Sequence, residues 1–421
     1  MYFIWFYSKK KLYHLYTIEY FKKWFGYLKN HWTKIIFFYK EDKSFSLDID
    51  IIKKINNTWI TIIPFKKRSE ITDYIAKLSW KIFIYISQEQ EINFWNTIKK
   101  YANQKTTKNI KIFTNKYLQR SIIWKIYPET IVQYKYITQK EAKNISEKKL
   151  PPMPCIVKPT WWIQSSGVCK IKNHMEYIKS LKIIEQSFEK LKNKKLLNKK
   201  IIIEEYIDWK MYTIDYYVDE NQNIIVAKPV FIKLWIDYWI NDFCNILRIT
   251  SKDVENEIDN TSMNELIKKT VYWWNIRNTF VHHEFKINSK WEYKTIEINW
   301  RIWWYRLSIY QIGYNLNLLS FPFQKRNKSY SIKKNTATFV LYPKKNWSFM
   351  GFNDEIIDKI KKLRSFYKIQ QSKNNIWEKI GLTKSGYSNL WFIILANWDY
   401  KQFKKDISYI EKKYFEIIYV V

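Results

Sequence analysis

The stretch KPTWWIQSSGVCK, residues 158–170, has the frame of a phosphate-covering loop between two strands, with Lys-Pro at one end and Ser-Ser-Gly-Val at the other. Loops of this kind need glycine where the backbone approaches phosphate oxygens, because a side chain would block the approach. Two tryptophans, Trp161 and Trp162, stand in the middle of the stretch instead. The frame therefore predicts a phosphate site, and the two large rings require an explanation.

The amino-acid composition supplies an explanation for the two tryptophans. The 421 residues include 6 glycines and 22 tryptophans, 28 together, whereas glycine alone would be expected at about 30 positions. Tryptophan also occupies turns that favour residues tolerant of positive φ, as in Asp208-Trp209-Lys210, Ser289-Lys290-Trp291-Glu292 and Asn397-Trp398-Asp399. We predict that many tryptophans stand for glycine, through UGA codons that encode glycine in this gene. A genuine aromatic surface that stacks nucleic-acid bases is the alternative, but it does not account for the shortage of glycine.

The charge balance is strongly basic, with 73 Lys and Arg against 39 Asp and Glu and a net charge of +34. The lysines are spread along the whole chain among abundant Ile, Asn and Tyr, a mixture typical of an AT-rich coding sequence. We therefore interpret the charge as compositional drift and do not expect a nucleic-acid partner, although a basic field also attracts ATP and carboxylates. The oligomeric state is open.

The compartment is predicted from the cysteines and the apolar runs. Cys155, Cys169 and Cys244 show neither metal-ligand spacing nor a disulfide pattern, which suits a reducing cytoplasm with inert buried thiols. The opening MYFIWFYSKKK places its charges after the apolar run, the reverse of a signal peptide, and the run is too short to span a bilayer. We expect a cytoplasmic protein without a membrane partner.

The first 112 residues alternate strand and helix patterns, which predicts a βα domain with a mostly parallel sheet. The predicted strands are Tyr2–Tyr7, Lys34–Tyr39, Trp59–Ile63, Lys81–Ile86 and Ile110–Phe113, and the predicted helices are Ile18–Lys29, Ile71–Leu78 and Glu91–Ala102. No glycine fingerprint for a dinucleotide follows the first strand. This domain is therefore expected to be a substrate or scaffold unit.

The pattern changes after residue 112. Strands are predicted at 131–137, 155–158, 201–207, 211–218 and 224–233, with helices near 174–198 and 262–276. The last hundred residues begin with the basic segment QKRNKSYSIKKN and contain strand patterns at 337–342, 390–396 and 416–421.

Residues 280–300 predict an acidic hairpin. Glu284 lies on the polar face of one strand, and Glu297, Asn299 and Arg301 share a face of the next. With a two-residue turn between Lys290 and Trp291, Glu284 and Glu297 lie directly opposite each other, with Cβ atoms roughly 5 Å apart.

Two carboxylates so placed repel each other unless a positive charge lies between them. Mg²⁺ prefers carboxylate and amide oxygens, which Glu284, Glu297 and Asn299 offer, and Arg301 is suited to bind a phosphate or carboxylate bidentately. An exposed hairpin whose acids pair with Lys286 or Lys294 is the alternative. The four residues on one face favour metal and phosphate.

Together these segments resemble the ATP-grasp family of carboxylate–amine ligases, in its amino-acid ligase branch. With glycine restored, KPTGGIQSSGV resembles the phosphate loop of the family, EEYIDG its adenine-contacting linker, and HHEF…EINGRIGG its metal-binding hairpin. The resemblance implies an α/β fold, α+β in the catalytic part, in which two lobes clasp ATP. It implies a Rossmann-like pre-ATP-grasp domain over 1–112, an ATP-grasp domain over 113–325 with a mobile small lobe about 145–207, and a C-terminal α/β subdomain over 326–421.

The resemblance also implies roles for individual residues. Lys116 and Lys158 contact the ATP phosphates, and the backbone of Ser165, Ser166 and Gly167 covers them. Glu204, Glu205, Tyr206 and Ile207 meet adenine, largely through main-chain atoms. Glu284, Glu297 and Asn299 hold Mg²⁺, with Mn²⁺ possible, and Arg301 holds the transferring phosphoryl group. Many relatives bind the ribose hydroxyls with a glutamate where this chain has Met211; Asp215 is a weak substitute. His282 resembles a histidine that precedes the metal glutamate in one branch of amino-acid ligases.

The activity implied is that of an ADP-forming ligase. A substrate carboxylate is activated as an acylphosphate and joined to an amine, which the amino-acid ligase resemblance implies is that of an amino acid. The partners are then a small-molecule acid and amine whose identities the sequence does not give. Two alternatives remain: a basic, aromatic-rich protein that binds single-stranded nucleic acid, and a ligase-fold protein that binds ATP without turnover.

Overall fold

The computed structural model describes residues 2–7, 34–40, 60–78, 82–86, 94, 98, 105–160, 167–189, 200–238, 240, 242–302, 305–324, 329–342, 347–371, 379–380 and 391–420. The strands in chain order are β1 Tyr2–Tyr7, β2 Lys34–Lys40, β3 Ile60–Phe65, β4 Ile82–Ile86, β5 Tyr134–Thr138, β6 Cys155–Pro159, β7 Cys169–Ile171, β8 Lys200–Glu205, β9 Lys210–Val218, β10 Ile224–Val226, β11 Val230–Leu234, β12 Asn245–Thr250, β13 Thr279–Ile287, β14 Tyr293–Asn299, β15 Asn335–Leu341, β16 Trp347–Phe352, β17 Phe366–Gln371, β18 Lys379–Ile380, β19 Trp391–Asn397 and β20 Ile418–Val420. The α-helices are α1 Arg68–Ala76, α2 Lys116–Ile126, α3 Gln139–Lys143, α4 His174–Glu189, α5 Lys252–Asn256, α6 Asn260–Trp273, α7 Tyr305–Tyr314, α8 Asp354–Lys361 and α9 Tyr400–Lys413.

The N-terminal strands form a parallel sheet in the order β3-β2-β1-β4, as the alternating pattern predicted. Helix α1 buries Ile71 and Ile75, which are four residues apart and therefore share one face. The predicted strand Ile110–Phe113 is wrong: Ile110–Thr114 is a 3₁₀ helix with three buried apolar side chains. Short apolar runs do not distinguish a strand from a buried helical turn. The predicted helix at 18–29 lies outside the described residues.

A second, antiparallel sheet has the order β5-β8-β6-β7. Helices α3 and α4 pack on one face of it, where Cys155, Val157 and Ile201 form a core with Tyr177 and Ile184. Strands β6 and β8 carry the residues predicted for phosphate and adenine, and they are hydrogen-bonded neighbours. This sheet therefore holds two of the three predicted motifs side by side.

The largest sheet among the described residues has the order β14-β13-β9-β11-β12-β15-β19-β17, with β10 also paired to β9. It combines strands that precede the predicted 325/326 boundary, such as β14, with strands that follow it, such as β15 and β19. One face is apolar: Tyr212, Ile214, Phe285 and Ile298 pack in a core shared with helix α6. The opposite face carries the predicted acidic residues of the hairpin.

The acidic hairpin differs from the predicted hairpin in the length of its loop and in its strand register, and the two differences compensate each other. Asn288 and Glu292 close a three-residue loop, through a backbone bond from Asn288 N to Glu292 O of 3.3 Å, where a two-residue turn was predicted. The register then shifts by one residue beside Glu284, a β-bulge in β14. Because the bulge compensates for the longer loop, Glu284 and Glu297 are directly opposite, as predicted.

Trp291 is the residue of that loop with φ of +59°, and its side chain is 58% exposed. A positive φ is costly for a bulky L-residue and free for glycine. Trp209 and Trp398, the two other turn tryptophans, do not have positive φ. Among the three turn tryptophans, Trp291 therefore has the backbone conformation that most favours glycine.

Peptide masses from the native source test the tryptophan hypothesis. We expect the peptide that spans residue 291, and the one that spans 158–170, to be lighter than the sequence requires by the fixed Trp–Gly difference for each replaced residue. Peptides that carry tryptophan at all of 161, 162 and 291 would contradict the hypothesis.

The cysteines are free thiols. Cys155 is buried and Cys169 half-buried, and burial raises the pKa of each thiol to about 11. Thiols with raised pKa are poor nucleophiles at neutral pH, since the thiolate is the reactive form. Within the described part of the chain, no helix has the length and apolar character that crossing a bilayer requires.

Candidate active site

Helix α2 carries the first functional face. Asn115 caps its N-terminus by accepting from the backbone N–H groups of Tyr117 and Leu118. Lys116, Gln119 and Arg120 lie three and four residues apart, so they share one side of the helix, and all three are buried. The sequence singled out Lys116 alone, although this spacing would have indicated the other two.

Helix α2 covers the edge of the large sheet at β14. The side-chain amide of Gln119 donates to Ile298 O at 2.8 Å and accepts from Ile298 N at 3.1 Å. Arg120 Nη2 donates to Ile296 O at 2.7 Å. These bonds pair the outer strand with side chains of the helix, as an edge strand requires, and they fix Lys116 beside the acidic hairpin.

A buried ion network joins the phosphate-loop strand, the linker strand and helix α2. Glu204 on β8 accepts from Arg120 Nε at 2.8 Å, and its other oxygen is 2.5 Å from Lys158 Nζ on β6. The three side chains are at most 6% exposed. The carboxylate of Glu204 therefore holds the two cations together and is not directed at adenine.

The network shifts the pKa of its members. Burial acts to raise the pKa of Glu204, but Arg120 and Lys158 outweigh burial and lower it to about 2. Burial is the largest cause that lowers the pKa of Lys158, and the positive charges of Arg120 and Lys116 add to it against the opposing effect of Glu204. Lys158 is thus a desolvated cation whose charged form an incoming anion would stabilise.

The two hairpin carboxylates each contact a cationic or basic partner. Glu297 Oε1 is 2.8 Å from Lys116 Nζ, and Glu284 Oε1 is 3.3 Å from His282 Nε2. Burial acts to raise the pKa of Glu284, but His282, Arg306 and Arg301 outweigh it and lower the pKa. The Glu284 carboxylate is therefore kept as an anion, and the two carboxylates lie opposite each other on one face of the sheet.

Behind Glu284 a chain of polar contacts runs across the sheet. His282 Nδ1 is 2.8 Å from Asp215 Oδ1, and Asp215 Oδ2 is 3.7 Å from Arg306 Nε and 3.5 Å from the hydroxyl of Tyr310. Burial acts to lower the pKa of His282, but Asp215 and Glu284 outweigh burial and raise it. Asp215 is 1% exposed, so its carboxylate serves this interior network.

Asn299 and Arg301 follow on the same hairpin. Asn299 is opposite His282 in the register of β13 and β14 and is buried, and Arg301 is 7% exposed. Arg301 contributes to the low pKa of Glu284. The structure thus groups the predicted residues Glu284, Glu297, Asn299 and Arg301 on one side of the hairpin.

The linker after β8 has its own contacts. The backbone N–H groups of Glu205 and Tyr206 donate to Gln133 O and Pro154 O, at 3.0 and 3.3 Å. Lys286 Nζ donates to Ile207 O at 2.6 Å, and burial lowers the pKa of Lys286 to about 8. Lys286 does not pair with the hairpin acids, which was the alternative considered from the sequence.

A cation also covers the ring of Tyr206. Lys170 Nζ lies 3.4 Å from the ring centroid, and Lys286 Nζ lies 5.3 Å from it. Met211, at the position of the expected ribose contact, is 8% exposed. Two lysines therefore surround the segment predicted to meet adenine.

The phosphate loop is described at its two ends. Pro159 ends β6, and Gly167 adopts φ of +73°, the left-handed conformation for which glycine is favoured. Ser165 and Ser166 lie outside the described residues. The backbone at Gly167 is consistent with the tight loop that the sequence predicts.

The donor set suits a hard divalent cation that also binds phosphate oxygens. No group of three or more His, Cys, Asp and Glu side chains arranged for a metal occurs in the described ranges. Mg²⁺, however, is commonly held by one or two carboxylates, with water and substrate phosphates completing its octahedron. Glu284, Glu297 and the amide of Asn299 match that requirement.

Comparison with a family model identifies the domain that contains these motifs. A family model described as an ATP-grasp domain matches residues 151–302. Residues 151–302 are an ATP-grasp domain. The match begins just before the phosphate-loop strand and ends just after Arg301, so it spans the motifs that carried the resemblance.

Solved structures share the ATP-grasp fold over the whole chain. The L-amino acid ligase from Bacillus licheniformis is 14% identical, covers 100% of this chain and 98% of its own, and has a TM-score of 0.71. The N5-carboxyaminoimidazole synthetase from Staphylococcus aureus complexed with ADP is 13% identical, covers 97% and 96%, and has a TM-score of 0.64. The biotin carboxylase from Campylobacter jejuni in a β,γ-ATP complex is 11% identical, covers 100% and 92%, and has a TM-score of 0.64. No curated protein sequence matches the chain.

Proposed function

We propose that this protein is an ATP- and Mg²⁺-dependent ligase that activates a carboxylate as an acylphosphate and joins it to an amine. One observation carries the proposal: ion pairs join all the proposed phosphate-binding and metal-binding motifs. Lys158–Glu204–Arg120 connects the phosphate-loop and linker strands to helix α2, and Lys116–Glu297 connects the same helix to the hairpin. Three cations and two anions leave this cluster with excess positive charge for phosphates.

Glu284, Glu297 and Asn299 are the proposed Mg²⁺ ligands, and Mn²⁺ fits the same oxygens. When bound, the cation neutralises negative charge on the phosphate oxygens. Lys116, which pairs with Glu297, is then positioned to contact a phosphate at the same place. Arg301 provides a planar cation for the phosphoryl group that is transferred.

The ATP site proposed here uses Lys116 and Lys158 for the phosphates, with the loop from Ser165 to Gly167 above them. The main chain of 204–207 meets adenine. Because Glu204 is engaged with Arg120 and Lys158, its role is to hold the two cations in position. Met211 offers no hydrogen bond to the ribose, so that contact must come from another group.

The reaction needs no protein nucleophile. An oxygen of the substrate carboxylate attacks the γ-phosphorus, the bond to the β-phosphate oxygen breaks, and ADP leaves. The amine nitrogen then attacks the acyl carbon, phosphate leaves, and the nitrogen loses a proton. Positioning and neutralisation of negative charge are the protein's contributions, and the buried cations of this site suit both.

The amine is proposed to belong to an amino acid. The L-amino acid ligase from Bacillus licheniformis shares the fold across both chains, and His282 beside Glu284 matches the amino-acid ligase resemblance. The other fold relatives include an N5-carboxyaminoimidazole synthetase and a biotin carboxylase, so the acid substrate is left open.

Isotope transfer tests the proposal. The protein is incubated with Mg²⁺, ATP and mixtures of the twenty proteinogenic amino acids whose carboxylates carry ¹⁸O, and ADP and phosphate are measured. We expect ADP formation that depends on the amino acids, and one ¹⁸O atom in each phosphate released. ADP formation without ¹⁸O in phosphate would contradict the acylphosphate step.

Two other functions give different results. A protein that binds ATP without turnover would show ATP binding and no ADP. A nucleic-acid-binding protein would bind single strands with an affinity that falls steeply with salt concentration, and ATP would not change that affinity.

A further inference from the structure

Arg306, the second residue of α7, carries a guanidinium group that is completely buried (0% exposed). A guanidinium presents five N–H donors. In the part of the chain that the structure describes, no acceptor forms a hydrogen bond with Nε, Nη1 or Nη2. Buried donors in native proteins are nearly always satisfied, so these donors are arranged for a group that the protein does not itself provide.

Asp215 compensates the charge of Arg306 without satisfying its donors. The distance of 3.7 Å from Oδ2 to Nε exceeds that of a hydrogen bond. The same carboxylate is shared with His282 at 2.8 Å and with Tyr310 at 3.5 Å. The two terminal amino groups of Arg306 therefore have no hydrogen-bond partner within the described ranges.

Helix α7 is fixed against the sheet at this place. Tyr310, one turn after Arg306, donates its hydroxyl to Lys228 O. Gly313, two turns after Arg306, packs so closely that a Cβ there would lie 3.0 Å from Thr250 Oγ1 and 3.2 Å from Thr336 Oγ1. The helix is thus held by contacts that allow little movement, and Arg306 is preorganised.

Arg306 lies beside the proposed metal site. Asp215 Oδ2 lies 3.7 Å from Arg306 Nε, and Asp215 contacts His282, whose Nε2 lies 3.3 Å from Glu284 Oε1. Thr213, which is opposite Glu284 on the neighbouring strand and shares a face with Asp215, has a buried hydroxyl with no hydrogen-bond partner in the described ranges. Two unsatisfied polar groups therefore flank the hairpin carboxylate.

We propose that the terminal amino groups of Arg306 bind a substrate carboxylate beside the Glu284–Glu297 pair, and that the Thr213 hydroxyl donates to the same carboxylate. This inference rests on the proposed ligase function and names the substrate class of that site. Arginine binds carboxylates bidentately. A monoanionic carboxylate fits better than a phosphate dianion, because the negative charge of Asp215 is close to the same guanidinium. The carboxylate belongs to the activated acid or to the amino acid that supplies the amine.

Steady-state kinetics with the most active amino-acid pair test the proposal. We expect Arg306→Gln to raise the KM of one amino acid by about 10- to 100-fold and to leave the KM of ATP unchanged. Arg306→Lys, which keeps the charge, should show a smaller increase in the same KM.

If that amino acid supplies the amine, its carboxamide should react equally with wild type and Arg306→Gln. If it supplies the acid, the carboxamide should not react at all. Arg364→Gln, an exposed arginine change, is the control. Equal increases in all three KM values, or none, would overturn the proposal.

A binding experiment tests the same point without turnover. Sodium acetate is titrated into wild type, Arg306→Gln and Arg306→Lys, with sodium chloride at matched ionic strength, and the melting temperature is measured. We expect acetate to raise the melting temperature of wild type and to have no effect on Arg306→Gln. An equal acetate response in both proteins overturns the proposal, and so does a response to inorganic phosphate that exceeds the response to acetate. Because no ATP is consumed, failure of this experiment is distinct from failure of the ligase assay.

Discussion

Replacing Glu297 by Gln is expected to reduce ADP formation by at least about 100-fold. Outer-shell partners of a metal contribute about 10- to 100-fold, and a direct ligand should contribute no less. The amide keeps the shape of the side chain but removes one of the two charges opposite each other on the hairpin. The measurement is initial ADP release against Mg²⁺ concentration, and the half-saturating Mg²⁺ concentration should rise.

The matched control is Glu292→Gln, the same chemical change in the exposed loop of the same hairpin. It should retain wild-type turnover and Mg²⁺ dependence. Because Lys116 loses its partner in Glu297→Gln, the melting temperatures of both variants should be compared with wild type. Full turnover by a folded Glu297→Gln would refute the assignment of this carboxylate to the metal.

Replacing Glu204 by Gln is expected to lower the free energy of unfolding by about 3–5 kcal/mol. Removing one partner of a buried ion network leaves its counter-charges uncompensated, and here Arg120 and Lys158 would face each other without an anion. The measurement is urea unfolding at neutral pH. Glu205→Gln is the control. Glu205 is half-buried, and the side-chain oxygen that accepts from the backbone N–H of Gln133 is kept as the amide oxygen of Gln.

The pH dependence of the Glu204 effect follows from its lowered pKa. A carboxyl group whose folded-state pKa is depressed stabilises the fold above its unfolded pKa and loses that contribution as the pH falls through the folded value. The difference in stability between wild type and Glu204→Gln should therefore be constant above the ordinary value of 4.5 and shrink as the pH falls toward about 2. A difference that is independent of pH in this range would show that the carboxylate of Glu204 is not held as an anion.

Much of the acidic hairpin could be predicted from the sequence, because strand periodicity is a local property. The alternation of side chains along a strand places Glu284 on one face of the first strand. It places Glu297 and Asn299 together on one face of the second strand of the hairpin. The predicted register at the two glutamates is confirmed, but the predicted loop was one residue too short. A bulge in β14 compensates for it, and bulges are set by packing against neighbouring strands, so the sequence pattern did not reveal it.

The residues that the sequence did not reveal owe their roles to distant contacts. Arg120 was overlooked because its partner Glu204 is 84 positions away in the chain. Arg306 is not indicated by the sequence because its burial depends on α7 packing against β15 of the large sheet, and no local pattern in RIWWYR indicates an interior cation. A buried charge is recognised only from what surrounds it, and here the surroundings come from segments far apart in the sequence.

The sequence by itself determined the order of the motifs, the parallel arrangement of the first sheet and the pairing of the two hairpin glutamates, since each depends on spacing within a short segment. The tertiary structure alone decided that Glu204 holds Arg120 and Lys158, that Lys116 meets Glu297, and that Asp215 lies between His282 and Arg306. The physical reason is that charge compensation acts through space in a desolvated interior, where the partners of each ion are chosen by the packing of sheets and helices.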